Sequence, residues 1–244
     1  MPIDISQDGK KILFIEAGEA GGGEYAVFSR DTTGTSAVRL GQGSANAFSP
    51  DGKWALVLRQ NVSPPDFILL PTGVGEQRSV STGKLIPTLG GQFFPDSRRI
   101  VFQGNEPGHA SRVYVMSLDG GQPRAITPEG FGLGSYPRMI SPDGTRIAVV
   151  GNDGIALVSA DGGDPQPVRG SEPSDAPLKW TSANALIVGQ RGETSCPVWK
   201  LDLQTGARTA WKTVSPADVA GVTDRKSTRL NSSHRTVSRM PSSA

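Results

Sequence analysis

The stretch AFSPDGKWALVL, residues 47–58, is a clear copy of a motif that recurs along the chain. It has the pattern of a strand, a tight turn and a second strand. Pro50 pre-sets φ at the second turn position, and Gly52 can adopt the left-handed conformation that closes a β-hairpin. Four related phrases occur elsewhere in the chain: DISQDGKKILF (4–14), FFPDSRRIVF (93–102), ISPDGTRIAVV (140–150) and a degraded KWTSANALIVG (179–189).

The turn phrase returns with a nearly constant period. Its third residue recurs at intervals of 43, 45, 47 and 40, at the positions Asp8, Asp51, Asp96, Asp143 and Ala183. A near-continuous apolar run follows each turn, which indicates a sheet covered on both faces. At the glycine position of the turn, the third copy has Ser97 and the fifth has Asn184. We expect both to be left-handed, at a cost of about 1 kcal/mol for Ser97.

Two further strands complete each repeat. A third strand is predicted in the sequences YAVFSR, FILLPT, VYVMS, IALVS and VWKLD, and most of these run into Gly-containing turns. A short fourth strand is predicted at 37–40, 78–80, 124–127, 166–168 and 208–211. Four strands in each unit of about 44 residues are typical of a propeller blade. The sequence therefore predicts an all-β propeller with about five four-stranded blades; a β-sandwich, the alternative, does not explain the regular return of one turn.

The repeat resembles the WD-like propeller repeat of TolB-type proteins over residues 1–223. Similar repeats form the propellers of prolyl-oligopeptidase-type enzymes. Three stretches resemble the C-terminal propeller of bacterial serine/threonine kinases and related regulators in sequence: residues 4–58, GNEPG (104–108) and LDGGQPRAITPEG (118–130). That resemblance implies a sensor module on the extracytoplasmic side of a membrane. The chain carries none of the kinase's own catalytic motifs.

The last 21 residues, 224–244, differ sharply from the rest. They contain five Lys or Arg residues and one Asp, so the remaining 223 residues have a net charge of −2 although the whole chain has +2. The mildly acidic body therefore argues against nucleic-acid binding. The segment DRKSTRLNSSH resembles a translated sequencing adapter. We expect residues 224–244 to be a disordered, non-native tail, and we expect the ring to be incomplete, because the first unit lacks much of its inner strand and rings of this type commonly have six or more blades.

Candidate catalytic and metal-binding residues each have a plainer structural interpretation. The turn aspartates lie in different blades and are expected to bond their own turns. GFGLG (130–134) resembles a phosphate loop but is interpreted as a connection between blades. His109 is expected in an exposed loop, and Cys196, the single cysteine, as a small strand residue. The aromatic residues Trp54, Phe102 and Trp180 are interpreted as core packing.

The sequence thus nominates no catalytic residue, no metal site and no cofactor. It contains no apolar run of the length that a membrane helix needs. The predicted function is a non-catalytic binding or sensor propeller that contacts a protein or a small molecule at one face. Two alternatives stay open: an accessory propeller of a prolyl-oligopeptidase-type hydrolase, and a free TolB-like periplasmic scaffold.

Overall fold

A computed structural model of the chain describes residues 1–17, 25–34, 36–134, 138–190 and 195–215. The predicted tail at 224–244 lies outside the described residues. The part that is described contains strands and turns and no α-helix, and therefore no helix that could cross a membrane. Five antiparallel sheets follow one another along the chain, and in each the strands are arranged in sequence order.

The first two blades each have four strands. Blade 1 contains β1 (Pro2–Ile5), β2 (Lys11–Glu16), β3 (Ala26–Asp31) and β4 (Val38–Gln42). Blade 2 contains β5 (Ser44–Phe48), β6 (Trp54–Arg59), β7 (Asp66–Pro71) and β8 (Arg78–Val80). The inner strand of blade 1, expected to be largely missing, is four residues long and pairs with β2.

The other three blades repeat this plan with one variation. Blade 3 contains β9 (Ile86–Phe93), β10 (Arg99–Asn105), β11 (Arg112–Ser117) and β12 (Arg124–Ala125). Blade 4 contains β13 (Arg146–Gly151), β14 (Gly154–Ser159) and β15 (Gln166–Pro167). Blade 5 contains β16 (Asp175–Ser182), β17 (Ala185–Gln190), β18 (Cys196–Asp202) and β19 (Arg208–Val214).

The inner strand of blade 4 is reduced to two isolated bridges. Gly132 pairs with Val150, and Ile140 pairs with Ile147. The segment 130–134 is therefore more than the connection that the sequence predicted, because its middle residue occupies an inner-strand position. Blade 4 thus keeps the four-layer plan of its neighbours, although only three of its layers are continuous strands.

Successive blades stack face to face through apolar cores. Blades 2 and 3 share the largest aromatic group, in which Phe102 lies edge-on to Phe67 at 5.4 Å and stacks on Tyr114 at 5.6 Å between ring centroids. Equivalent cores join blade 1 to blade 2, blade 3 to blade 4, and blade 4 to blade 5. Because both faces of the middle sheets are covered, their strands are apolar along nearly their whole length, as predicted.

Blade 5 and blade 1 share no such core among the residues that the structure describes. The outward face of blade 1 has a stacked pair, Phe14 and Phe28, with ring centroids 5.4 Å apart, and both side chains are half-buried. The five blades therefore have four apolar interfaces between them. The chain is an all-β, five-bladed propeller of antiparallel sheets, which confirms the predicted fold class.

Candidate functional site

The turn phrases of blades 1, 2 and 4 are each held by their own serine and aspartate. In blade 2 the Ser49 hydroxyl donates to Asp51 at 2.6 Å and accepts the Trp54 N–H at 2.9 Å, while Asp51 accepts the Lys53 N–H at 3.1 Å. Blades 1 and 4 repeat these three bonds with their own residues. The turn carboxylates therefore serve as turn acceptors, the role that the sequence predicted for them.

Asp143 is the most strongly perturbed of these turn carboxylates. The hydroxyl of Ser141, then the N–H and hydroxyl of Thr145, lower the pKa of Asp143 from 3.8 to about 2. Donors aimed at a carboxylate stabilise its charged form, so the turn keeps this charge well into the acidic range. Such a group is a firm structural acceptor and a poor proton donor near neutral pH.

The turns of blades 1 to 4 lie at the mouth of a central funnel. Its volume is about 320 Å³, and its lining comes from the inner-strand positions of all five blades. Three turn prolines, Pro50, Pro95 and Pro142, line the funnel together with the apolar residues Phe93 and Ile140. Gln7 occupies the proline position of the blade 1 turn and also lines the funnel. The apolar part of the lining therefore includes the turn residues that define the repeat.

The lining of the funnel also carries charge. Asp4 of β1 accepts the Ile5 N–H at 2.8 Å and the Phe48 N–H of the next blade at 2.9 Å. Arg138 donates through Nη2 to Asp4 Oδ1 at 3.3 Å and to the Ile5 carbonyl at 3.1 Å. Burial raises the pKa of the Asp4 carboxyl above its ordinary value, against the opposite effects of the Phe48 N–H and Arg138. The pair Asp4–Arg138 links residues 134 positions apart in the sequence.

Polar side chains of the inner strands also fasten neighbouring blades to each other. Gln92 of β9 accepts the Met139 N–H at 2.8 Å, and the Trp180 indole N–H donates to the Met139 carbonyl at 2.8 Å. Trp180, predicted as core, is buried against blade 4 and also lines the funnel. Its bond to Met139 and the cation–π contact from Arg146 at 5.4 Å hold the ring in place.

Lys179 of β16 is the second cation of the lining. Its side chain is exposed, and within the described part of the chain its ammonium group makes no hydrogen bond or ion pair. Asp4 is the one carboxylate among the lining residues, and Arg138 is already bonded to it. The lining therefore combines apolar side chains with two cations and one carboxylate, the combination of shape and polarity that small-ligand sites show.

The remaining candidates from the sequence lie away from this funnel. His109 is in the loop between β10 and β11, and its Nδ1 lies 2.9 Å from Glu129 Oε1. Cys196 is half-buried at the start of β18, where its Sγ lies 3.9 Å from the Pro197 carbonyl. Across the described ranges, no three His, Cys, Asp or Glu side chains converge as metal ligands would.

Sequence reasoning did not find Asp4, Arg138 or Lys179. Two of them have a readable signal, because Asp4 and Lys179 are charged residues two positions before the first turn residue, where blade 2 has Ala47. A charge in a strand at the centre of a propeller must either be paired or face a channel. Arg138 has no comparable signal, because blade 4 lacks a regular inner strand.

A known protein resembles this chain in sequence over part of its length. No protein-family model matches the chain. An uncharacterized peptidase of Bacillus subtilis (strain 168), YuxL, is 30% identical over 110 residues, which are 42% of this chain and 16% of that protein. The chain therefore spans less than a fifth of the length of this curated relative.

Solved structures extend the likeness to most of the chain. TolB from Acinetobacter baumannii has a TM-score of 0.65 at 17% identity, covering 85% of this chain and 54% of that one. A puromycin-hydrolyzing peptidase of Mycobacterium tuberculosis has a TM-score of 0.62 at 18% identity, covering 84% of this chain and 36% of that one. These likenesses define the class: a β-propeller with the TolB-like fold.

Proposed function

We propose that the chain is a non-catalytic binding module that holds a protein segment or a small molecule in the central funnel. The observation that carries this proposal is the funnel itself, which turn prolines line together with Arg138 and Lys179. Concave sites of this kind bind ligands through apolar contact and orient them through a few polar groups. The resemblance of the repeats to the propellers of bacterial serine/threonine kinases suggests a sensor role within a larger bacterial signalling protein.

The chemistry of the lining also favours binding over catalysis. The serines at the funnel mouth, Ser49 and Ser141, are committed to their turns as donors and acceptors. Asp4 accepts two backbone N–H groups and Arg138, so it is held in place as an acceptor. A nucleophile needs a base within hydrogen-bond reach, and His109 is bonded to Glu129 in a loop between strands of blade 3.

A second candidate function is the accessory propeller of a peptidase. It is favoured by the 30% identity to the B. subtilis peptidase and by the fold shared with the M. tuberculosis peptidase. In that case the propeller would limit access to a catalytic domain outside this sequence. Reading the genomic DNA on both sides of the coding region separates the two functions. A hydrolase domain with a Gly-x-Ser-x-Gly motif supports the peptidase, and a kinase or other effector domain supports the sensor.

Blocking the funnel tests the binding role directly. Gln7→Trp places a bulky side chain at the mouth from an exposed turn position, whereas Asn152→Trp places the same side chain in the exposed β13–β14 turn of blade 4. Saturation-transfer NMR would screen a panel of small organic acids, amines, sugars and tripeptides. We expect Gln7→Trp, and not Asn152→Trp, to weaken binding of the wild-type hits at least about tenfold. Hits unaffected by Gln7→Trp, or a panel without hits, would contradict the proposal.

A further inference from the structure

The charged groups inside the funnel differ in how many hydrogen-bond and ion-pair partners they have. Asp4 has three donors, two of them backbone N–H groups, and its side chain is 9% exposed. Arg138 uses only Nη2 within the described structure, and its side chain is 42% exposed. Lys179 has no described partner at all. The lining side chains thus carry one uncompensated positive charge, and Arg138 has further N–H donors that bond to no described residue.

The apolar residues of the lining restrict which anions suit this charge. Pro50, Pro95, Pro142, Phe93 and Ile140 present carbon surface, and prolines in tight turns are rigid. A ligand in the funnel can therefore place an apolar group against these side chains and its charge near Lys179 and Arg138. A doubly charged group such as a phosphate monoester would exceed the single net positive charge and would stand near the buried Asp4 carboxylate. A singly charged carboxylate neutralises the site.

We infer that the funnel binds a monocarboxylate with an apolar body, its carboxylate between Lys179 and Arg138 and its body against the turn prolines. This inference rests on the proposed binding function and specifies its ligand. Carboxylates accept charge-assisted hydrogen bonds from both ammonium and guanidinium groups, and these are stronger than neutral ones. The carboxylate has two sources with the same chemistry: a small free acid, or the C-terminus of a peptide that ends in an apolar residue.

The Trp180 indole N–H is a reporter inside the site, because Trp180 lines the funnel and donates to Met139. The full chain labelled with ¹⁵N-tryptophan gives indole signals that Trp180→Phe assigns. The probes are 3-phenylpropionate and N-acetyl-Ala-Ala-Phe, each paired with its neutral primary amide. We expect at least one acid to shift the Trp180 signal in a saturable way, with its amide at least about tenfold weaker. The acid that binds identifies the source.

Variants locate the carboxylate. Lys179→Gln should raise the dissociation constant of the acid about tenfold and leave that of the amide unchanged, and Lys179→Arg should restore most of the affinity. Lys200→Gln, an exposed lysine on β18 of the same blade, is the matched control and should change neither. Equal affinity for acid and amide, or an acid insensitive to Lys179→Gln, would overturn the carboxylate inference. Failure of both acids would overturn it as well. The ligand screen with Gln7→Trp tests the binding function separately, because the ligands found in that screen need not be acids.

Discussion

At the scale of single residues, the turn phrase acts through hydrogen bonds that its own serine and aspartate make. Asp143 shows this most clearly, because Ser141 and Thr145 lower its pKa from 3.8 to about 2. A carboxylate whose pKa is lower in the folded state than in the unfolded state stabilises the fold above its unfolded pKa. That stabilisation is lost as the pH falls from about 4 to about 2.

Asp143→Asn tests this pH dependence. We expect the variant to be less stable than the wild type at pH 6, and the difference to shrink steadily as the pH falls below about 4, because the wild type then loses the same charge. Urea unfolding at pH 6, 4 and 3 measures the difference. Asp153→Asn is the control, an exposed turn aspartate without a hydrogen bond to the described residues. A deficit of constant size at all three pH values would show that charge is not the cause.

Ser97 is a residue at which the sequence predicted strain correctly. It has φ of 57°, the one non-glycine residue with positive φ in the described part of the chain. Asn184 does not share this conformation, so that expectation was wrong; Ala183 and Asn184 instead join β16 to β17 in a two-residue connection between paired Ser182 and Ala185. Ser97 also accepts the Asp51 N–H at 3.0 Å, which links the turns of blades 3 and 2.

Two substitutions at Ser97 separate strain from hydrogen bonding. Ser97→Ala and Ser97→Gly both remove the bond to Asp51, but only glycine relieves the left-handed backbone. We expect Ser97→Gly to be more stable than Ser97→Ala by about 1 kcal/mol in urea unfolding. At Ser79, an exposed residue of β8, the order should reverse, because glycine weakens an ordinary strand. Ala and Gly variants of equal stability at Ser97 would argue against strain.

At the scale of strands and blades, the apolar interfaces between sheets hold the molecule together. Phe102 is fully buried between blades 2 and 3, whereas Phe14 is half-buried on the outward face of blade 1. We expect Phe102→Ala to cost about 3–5 kcal/mol of unfolding free energy and Phe14→Ala less than about 2 kcal/mol. Denaturant unfolding of both variants measures this. Equal losses would contradict the stacking order of the blades.

Strands could be predicted because each blade repeats one local pattern. The predicted fourth strand 78–80 coincides with β8 (Arg78–Val80), and the one at 208–211 begins with β19 (Arg208–Val214). The predicted strands 124–127 and 166–168 shorten to two residues each, because the ladder pairing that defines them stops earlier than the apolar pattern. The broken inner strand of blade 4 has no local signature, since its pairing depends on β13.

At the scale of the whole molecule, the funnel exists only because residues of all five blades come together. Asp4 and Arg138 meet across 134 positions, and no local pattern could place them together. The turn prolines could have been expected at one end of the ring, because equivalent residues of stacked blades share one face. The charged residues of the site lie where the sequence differs from the repeat. A repeat pattern alone cannot predict the positions of such residues.

The tail at 224–244 offers a prediction at the same scale. Its sequence is basic and rich in serine, with almost no bulky apolar side chain that could bury surface against the propeller. We expect a chain ending at Thr223 to have the same midpoint of thermal unfolding, within about 2 °C, and the same affinity for the acid probes. Differential scanning calorimetry compares the two chains. A clear drop in the midpoint would mean that the tail belongs to the folded unit.

A crystal structure of the chain grown with 3-phenylpropionate would show the fold and the position of the acid together. We expect five antiparallel sheets around one axis, with the proline turns at one end and the carboxylate of the probe between Lys179 and Arg138. A sandwich of two sheets, or a propeller whose funnel is closed to the acid while the acid occupies another surface, would contradict this expectation.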